Sequence, residues 1–383
     1  TTEIYTLSLH DALPILFDPE VTLYYNRNRL ERPNDNGLAA AHGDFNADVE
    51  SIGGVVRNRF AIPTGTLTVG IDAYRDDASV ERFHFASDAD ERITGVGGFA
   101  QARIAPLDRL RLSTGLRIDH QSYRAVDGQT FDNTGLSPNL WAEVDLFGGV
   151  TAFAGYSSVW GGLEMAETAL YHAGDYTYAP DLEPARSHNA RGGLRYAEGG
   201  LSLEGALLRT VIHDPMDWNY RTRTRINGPD LKSQGFDLSA SYAWDNDDIG
   251  AAYAHSDVTY GDRIALPGDY NTAIAVGDLI TLRGHYTVES LRLTLGASAE
   301  FALALEDEDL RAAGFGDLEP YEVVNLFAEW VPVPQMAHWT LRVEANNLFD
   351  EAYSSRSTYA QTAVIQPVLA GGRSFHLSST LKF

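Results

Sequence analysis

A polarity period of two residues, carried through segments of about ten and broken by connections that are alternately short and long, is the feature that most restricts what this chain can become. Leu110, Leu112, Leu116 and Ile118 fall on one face of such a segment, and Arg111, Ser113, Gly115, Arg117 and Asp119 on the other, because successive strand side chains point to opposite sides. Phe236, Leu238, Ala240, Tyr242 and Trp244 repeat the pattern against Asp237, Ser239, Ser241 and Ala243. Ile280, Leu282, Gly284, Tyr286 and Val288 run to an expected two-residue turn at Glu289 and Ser290, and the chain returns through Leu291, Leu293, Leu295, Ala297 and Ala299.

Short turns are expected near 62–65, 106–108, 147–149, 197–200, 245–248, 289–290 and 331–338. Long polar connections are expected over 31–44, 75–93, 121–135, 161–187, 211–232, 257–277, 302–319 and 347–371. This gives about sixteen strands. Soluble sandwiches have strands of about five or six residues and no reason to place every long connection at one end. Strands of about ten residues, an apolar face, a polar face and alternating connection lengths describe a transmembrane antiparallel β-barrel. Trp244, Trp330 and Trp339 beside short turns, and Trp160 at the far end of a strand, suit interfacial girdles.

Composition agrees and excludes alternatives. The 35 Gly and 19 Tyr, against three Met, favour turns and aromatic strands over packed helices. No run of about 18 apolar residues marks a membrane helix. A net charge of −24 argues against nucleic acid, which needs a concentrated basic surface. Without cysteine there is no disulfide framework and no thiolate metal site. No GxSxG, HExxH or glycine-rich phosphate loop is found, so no enzyme is expected; an outer-membrane hydrolase would need a Ser/His/acid set at one strand edge.

The opening, TTEIYTLSLHDALPIL, lacks an initiator Met, a basic region and a small-residue cleavage site. It resembles a translated sequencing adapter, so 1–16 is expected to be a non-native leader and 17–383 the barrel, with the natural N-terminus and its export signal lost. The alternative is one more strand.

Near the C-terminus the chain reads YEVVNLFAEW, LRVEANNLFDEAY and GGRSFHLSSTLKF. This resembles the closing strands of TonB-dependent outer-membrane receptors, in which NLFDxxY ends a strand and a GR pair precedes a last strand ending in Phe. Asn347, Leu348, Phe349, Asp350, Tyr353, Gly372, Arg373 and Phe383 occupy the matching positions, with Gly371 where the family has Pro. GGFAQARIAPLDRLRLSTGLRIDH and DLKSQGFDLSASYAW resemble internal hairpins and strands of the same family, in the same order. The signature residues read physically as a strand end and an Asn/Asp turn, without ligand contact.

The resemblance implies a receptor of 22 strands with an N-terminal plug and a segment contacting the TonB-ExbB-ExbD system, so about six strands and the plug are expected to be missing here. It implies residence in the outer membrane of a Gram-negative bacterium among lipid and lipopolysaccharide, and a last strand read by the barrel assembly machinery. It also implies uptake of an iron chelate, haem or a ferric siderophore, as transported ligand with no intrinsic cofactor. A passive sixteen-stranded porin is the alternative.

In GYSSVWGGLEMAETALYHAGDYTYAPDLEPARS, His172 lies between a degenerate FRAP-like box at 159–164 and an NPNL-like box at 179–183, the arrangement of haem receptors in this family. The resemblance makes His172 a candidate ligand to haem iron, a role suited to neutral imidazole. Tyr171, Tyr176 and Tyr178 are candidates to stack on a porphyrin or an aromatic siderophore. His42, His84 and His213 are weaker candidates for a second contact. Arg111, Arg117, Arg195 and Arg283 either steer an anionic chelate or pair with carboxylates on the same polar face. The acidic runs 245–248 and 306–309 read as solvated turns, or as sites for divalent ions shared with lipopolysaccharide.

Overall fold

The computed structural model describes all residues except 1, 9–17, 33–44, 83–88, 166–176, 220, 267–268, 270–274, 334–338, 357–368 and 383. Its strands are β1 (Thr2–Ser8), β2 (Asp18–Arg32), β3 (Phe45–Ile62), β4 (Gly65–Arg82), β5 (Ala89–Leu107), β6 (Leu110–Arg124) and β7 (Thr130–Phe147). There follow β8 (Val150–Gly162), β9 (Thr177–Tyr178), β10 (Ala185–Glu198), β11 (Leu201–His213), β12 (Met216–Asn219), β13 (Thr224–Asn227) and β14 (Leu231–Trp244). The remainder are β15 (Asp247–Tyr260), β16 (Arg263–Ile264), β17 (Gly277–Val288), β18 (Leu293–Ala302), β19 (Tyr321–Trp330), β20 (Trp339–Asn346) and β21 (Ser374–Leu381), with one short helix, α1 (Glu308–Ala312). Among the described residues, no helix is long and apolar enough to cross a membrane.

Among the described residues between Asp18 and Leu381, sixteen strands have eight residues or more, the number read from the alternation. Thr2–Ser8 pairs antiparallel with β2. The chain divides into two compact units. In the first, β1 to β6 pair in sequence order, each antiparallel to the next. In the second, β14, β15, β17, β18, β19, β20 and β21 do the same.

The two faces of these strands have opposite chemistry. Leu23, Ile52, Ile71, Val96, Leu116 and Ile118 in the first unit, and Leu238, Ile249, Leu282, Leu295, Leu326 and Val343 in the second, are large apolar side chains left exposed, Ile71 by 64%. A soluble protein rarely shows so large a contiguous apolar surface; a strand wall facing lipid requires it. The opposite face carries ion pairs: Arg59 with Asp18 at 2.6 Å, Arg57 with Glu20 at 2.7 Å, Arg195 with Glu204 at 2.8 Å, and Arg117 with both Asp72 and Asp119, at 2.6 and 2.5 Å.

Several glycines on the polar face are explained by their partners. Tyr24 lies over its register partner Gly53, Tyr74 over Gly95, Phe99 over Gly70 and Phe327 over Gly296. A Cβ at Gly95 would meet the Tyr74 ring within contact distance, so glycine here makes room for a flat aromatic neighbour across the ladder.

Two expectations need correction. The long connections are shorter than the polarity pattern suggested: β4 continues to Arg82 and β5 starts at Ala89, while β6 and β7 leave only 125–129 between them. Beyond the lipid both faces of a strand meet water, so alternation fades although pairing continues. Charged rungs hold these extensions, with Arg27 3.1 Å from Asp48 and Asp77 bridging Arg75 and Arg92 at 2.6 and 2.5 Å. The hairpin after Val288 is not a two-residue turn. Val288 pairs with Leu293, and 289–292 form a 3₁₀ turn ended by Arg292 at φ 52°. Glu and Ser do not favour the positive φ that two-residue hairpin turns require. Gly148 and Gly149 (φ 47° and 76°) and Gly199 and Gly200 (φ 59° and 85°) supply it at the tighter turns.

Candidate functional site

The candidate site lies in the first unit, where long connections fold over the strand ends. It begins with β5 and β6, whose polar-face positions near those ends are Glu91, Ile93, Gln121 and Tyr123. All four are nearly or fully buried, Glu91 to 2% exposure and Tyr123 to 0%. Among the described residues, the covering material comes from 163–165, 177–184, 214–219 and 221–230. Within it β12 pairs antiparallel with β13, and β13 pairs in parallel with β9, making a three-stranded sheet.

This cap is fastened by polar contacts set in an apolar cluster of Ile93, Phe131, Leu163, Tyr178, Leu182 and Met216. Gln121 grips the backbone of Leu163 twice: Nε2 donates to the carbonyl at 3.0 Å, and Oε1 accepts from the amide at 2.7 Å. Asp127 accepts from the Tyr178 amide at 2.8 Å, and Gln129 donates to the Tyr178 carbonyl at 2.7 Å. Tyr123 donates to Glu91 at 2.8 Å, Tyr178 donates to the same carboxylate oxygen, and the two hydroxyls are 3.0 Å apart. Burial, and then the Glu91 charge, push the Tyr178 hydroxyl well above the usual tyrosine range. It therefore stays protonated and donating. Beside Tyr178 in the same sheet Arg225 stacks on Trp218 at 4.8 Å and donates to the Glu164 carbonyl at 3.3 Å, while Asn227 bridges the amide and carbonyl of Glu183, each at 2.8 Å.

His172, Tyr171 and Tyr176 lie outside the described residues. Tyr178 is 3% exposed with its hydroxyl engaged; here it anchors the cap and offers no open ring face. Leu182 of the second box is buried, as is Leu163 of the first, whereas Val159 is exposed. His42 and His84 also fall outside the described residues. His213 bonds Asp230 at 3.0 Å.

The four arginines pair with carboxylates. Arg117 and Arg195 do so as above, Arg111 meets Glu143 at 3.0 Å, and Arg283 lies 4.0 Å from Asp248. The acidic runs have local work: Asp247 accepts from the Thr287 amide at 2.7 Å, Asp248 pairs with His285 at 2.6 Å, and Asp307 caps α1. Among the described residues no group of three or more His, Cys, Asp or Glu could hold a metal. The sequence reading missed Glu91, Tyr123 and Gln121. They stand in a region read as connection, and only the inward phase of Tyr123 and Gln121 with Arg117 and Asp119 hinted at them.

In the second unit the C-terminal signature forms a tight turn. Asn347 and Asp350 take positive φ, 49° and 61°. Buried Asn347 donates through Nδ2 to the carbonyls of Glu351 and Gly371, at 2.8 and 3.2 Å, and accepts from the Glu351 amide at 2.8 Å. The Leu348 amide bonds the Val324 carbonyl at 2.8 Å, and Phe349 is exposed. Asp350 accepts from the Arg373 amide at 2.8 Å, and a Cβ on Gly372 would lie 3.0 Å from its carboxylate. Tyr353 packs on Tyr321 with ring centres 4.6 Å apart. Phe383 lies outside the described residues.

Strands of membrane-crossing length with one apolar and one polar face, capped at the long-connection end, define a protein of the transmembrane β-barrel class. The chain belongs to the TonB dependent receptor-like, beta-barrel family, whose sequence model matches residues 2–348. It is 31% identical over 376 residues to the heme transporter BhuA of Brucella ovis, and equally so to that of Brucella suis, covering 96% of this chain and 56% of each relative. The chain thus spans little more than half the length of these curated relatives. Among solved structures, the FrpB iron transporter from Neisseria meningitidis (F5-1 variant) superposes with a TM-score of 0.82 at 17% identity, over 100% of this chain and 63% of that one. The copper transporter OprC gives 0.80, also at 17%, over 100% and 64%. These two establish likeness of fold.

Proposed function

We propose that the chain is the barrel part of a Gram-negative outer-membrane receptor that takes up an iron chelate, haem or a ferric siderophore, by TonB-dependent transport. The observation that carries this reading is the 31% identity, across 96% of the chain, to proteins named heme transporters. Family membership disfavours the passive porin, as does the cap, whose buried fastening contacts suit a ligand-facing surface better than an open pore mouth. In this reading TonB-ExbB-ExbD acts through a plug that precedes the barrel in the whole receptor. Lipopolysaccharide and lipid contact the apolar face, and the C-terminal sequence from Ser374 to Phe383 is addressed by the assembly machinery. The chelate is cargo rather than a resident cofactor.

From the sequence between the two boxes we assign His172 as a ligand of haem iron and Tyr171 and Tyr176 as ring contacts. Tyr178, two residues after Tyr176 in the sequence, becomes an anchor through its bonds to Glu91 and Asp127. Haemin titration of the full-length refolded receptor tests this. A Soret shift that is lost in His172→Ala is expected. A shift unchanged by that substitution removes the ligand assignment. Binding of ferric siderophores without any Soret shift would replace haem by the alternative cargo, and binding of neither, with steady open-channel conductance in planar bilayers, would overturn the receptor reading.

A further inference from the structure

A pair of histidines on the apolar faces of β10 and β11 stands apart from the Glu91 cluster. His188 belongs to β10, on the face that carries exposed Leu194, and His213 ends β11, on the face of exposed Leu203 and Leu207. Both stand at strand ends that adjoin long connections. Their ring centres are 5.4 Å apart and their planes meet at 72°. We propose that His188 and His213 form a surface site for a divalent transition-metal cation of the zinc class, with Asp230 and Tyr156 holding the two rings.

Three observations carry the assignment. First, the spacing fits: zinc sits about 2.0–2.1 Å from each imidazole nitrogen, which at a tetrahedral angle places two ring centres about 5 Å apart. The observed 5.4 Å is close to that separation. Second, each ring is already held through Nδ1, by the Asp230 carboxylate at 3.0 Å for His213 and by the Tyr156 hydroxyl at 2.7 Å for His188. Metal-binding histidines characteristically give their second nitrogen to a carboxylate or another oxygen, which fixes the tautomer and strengthens the ligand. With Nδ1–H donated to Asp230, Nε2 of His213 carries the lone pair. Third, among the described residues neither Nε2 has a hydrogen-bond partner.

The two nitrogens are the protein's whole contribution, since no third metal-binding side chain joins them among the described residues. Water completes the shell, as the 43% exposure of the His213 side chain permits. Imidazole donors suit zinc, nickel and copper rather than magnesium or calcium, which prefer oxygen. The site is independent of iron-chelate uptake, and its failure would leave that reading untouched.

Zinc titration of the refolded 383-residue chain against a competing zinc indicator is the test, with far-ultraviolet circular dichroism checking the fold of each variant. Affinity should fall roughly tenfold or more in His188→Gln and in His213→Gln, and by about ten- to hundredfold in Asp230→Asn. Magnesium should not compete. A double variant, His188→Gln with His213→Gln, that binds zinc as the wild type does would overturn the proposal. A measurement on the unaltered chain guards against misfolded variants. Zinc should protect His188 and His213, above the other histidines, from diethyl pyrocarbonate, and equal modification of the pair with and without zinc would overturn the site.

Discussion

Tyr178→Phe isolates the hydroxyl that joins the cap to the strand wall. The ring keeps its packing near Phe131 and Tyr123, with centroids 6.4 and 5.8 Å away, so the loss is confined to the hydroxyl, chiefly its hydrogen bond on buried Glu91, with its contact to the Tyr123 hydroxyl. A hydrogen bond to a charged group contributes about 1.5–3 kcal/mol. At about 1.4 kcal/mol per decade, the open population of the cap should rise roughly 10- to 150-fold. Native-state hydrogen exchange reads this directly, because the Tyr178 amide donates to Asp127 across the junction between the cap and the strand wall, and the Ala179 amide to Arg225 within the cap sheet. Peptides covering 177–184 and 214–230 should exchange faster in the variant, while the β17–β18 hairpin in the second unit remains unchanged. Exchange that is unaltered in the cap, or raised equally in both places, would refute the account of Glu91 as the fastening point.

Three other substitutions probe the strand walls. Ile71→Arg places a charge on the apolar face and should cost about 2–4 kcal/mol in urea unfolding from lipid vesicles if the site lies near the bilayer midplane, whereas Ser113→Arg on the polar face of β6 should cost far less. Gly95→Ala should displace the Tyr74 ring and cost about 1–3 kcal/mol by the same assay; a neutral result would mean the ring moves aside freely. Asn347→Ala removes a buried side chain that bonds Glu351 and Gly371 and should destabilise the chain by about 2 kcal/mol or more, with faster proteolysis of the 347–373 connection as its sign.

The strand walls were legible in the sequence because lipid on one side and water on the other impose a strict two-residue rhythm. Leu110 to Asp119 shows that rhythm, and from Ser113 to Asp119 exposure in β6 alternates in the same phase, with Leu116 and Ile118 exposed and Gly115, Arg117 and Asp119 partly covered. The rhythm stops being readable where both faces meet water, which is why Asp76, Asp77 and Ser79 read as connection although they sit in the β4–β5 ladder. The cap was not legible for a related reason. Glu91, Tyr123 and Tyr178 are separated by 32 and 55 residues along the chain, and nothing local announces that a buried carboxylate will collect two tyrosines. The family signature was legible as residues but not as geometry. Asn347 and Asp350 suggested a turn, while the grip of Asn347 on Gly371 depends on a connection that closes 24 residues later.

The most direct test of the membrane-wall reading uses the absence of cysteine. Single cysteines introduced along β6 from Leu110 to Asp119 can carry spin labels in the chain reconstituted into bilayers, and accessibility to oxygen and to a water-soluble nickel complex can be read at each position. The account predicts strict alternation, with oxygen favoured at Leu110, Leu112, Leu116 and Ile118 and nickel at Arg111, Ser113, Gly115 and Arg117. Equal water access on both faces, or a repeat near 3.6 residues, would contradict it.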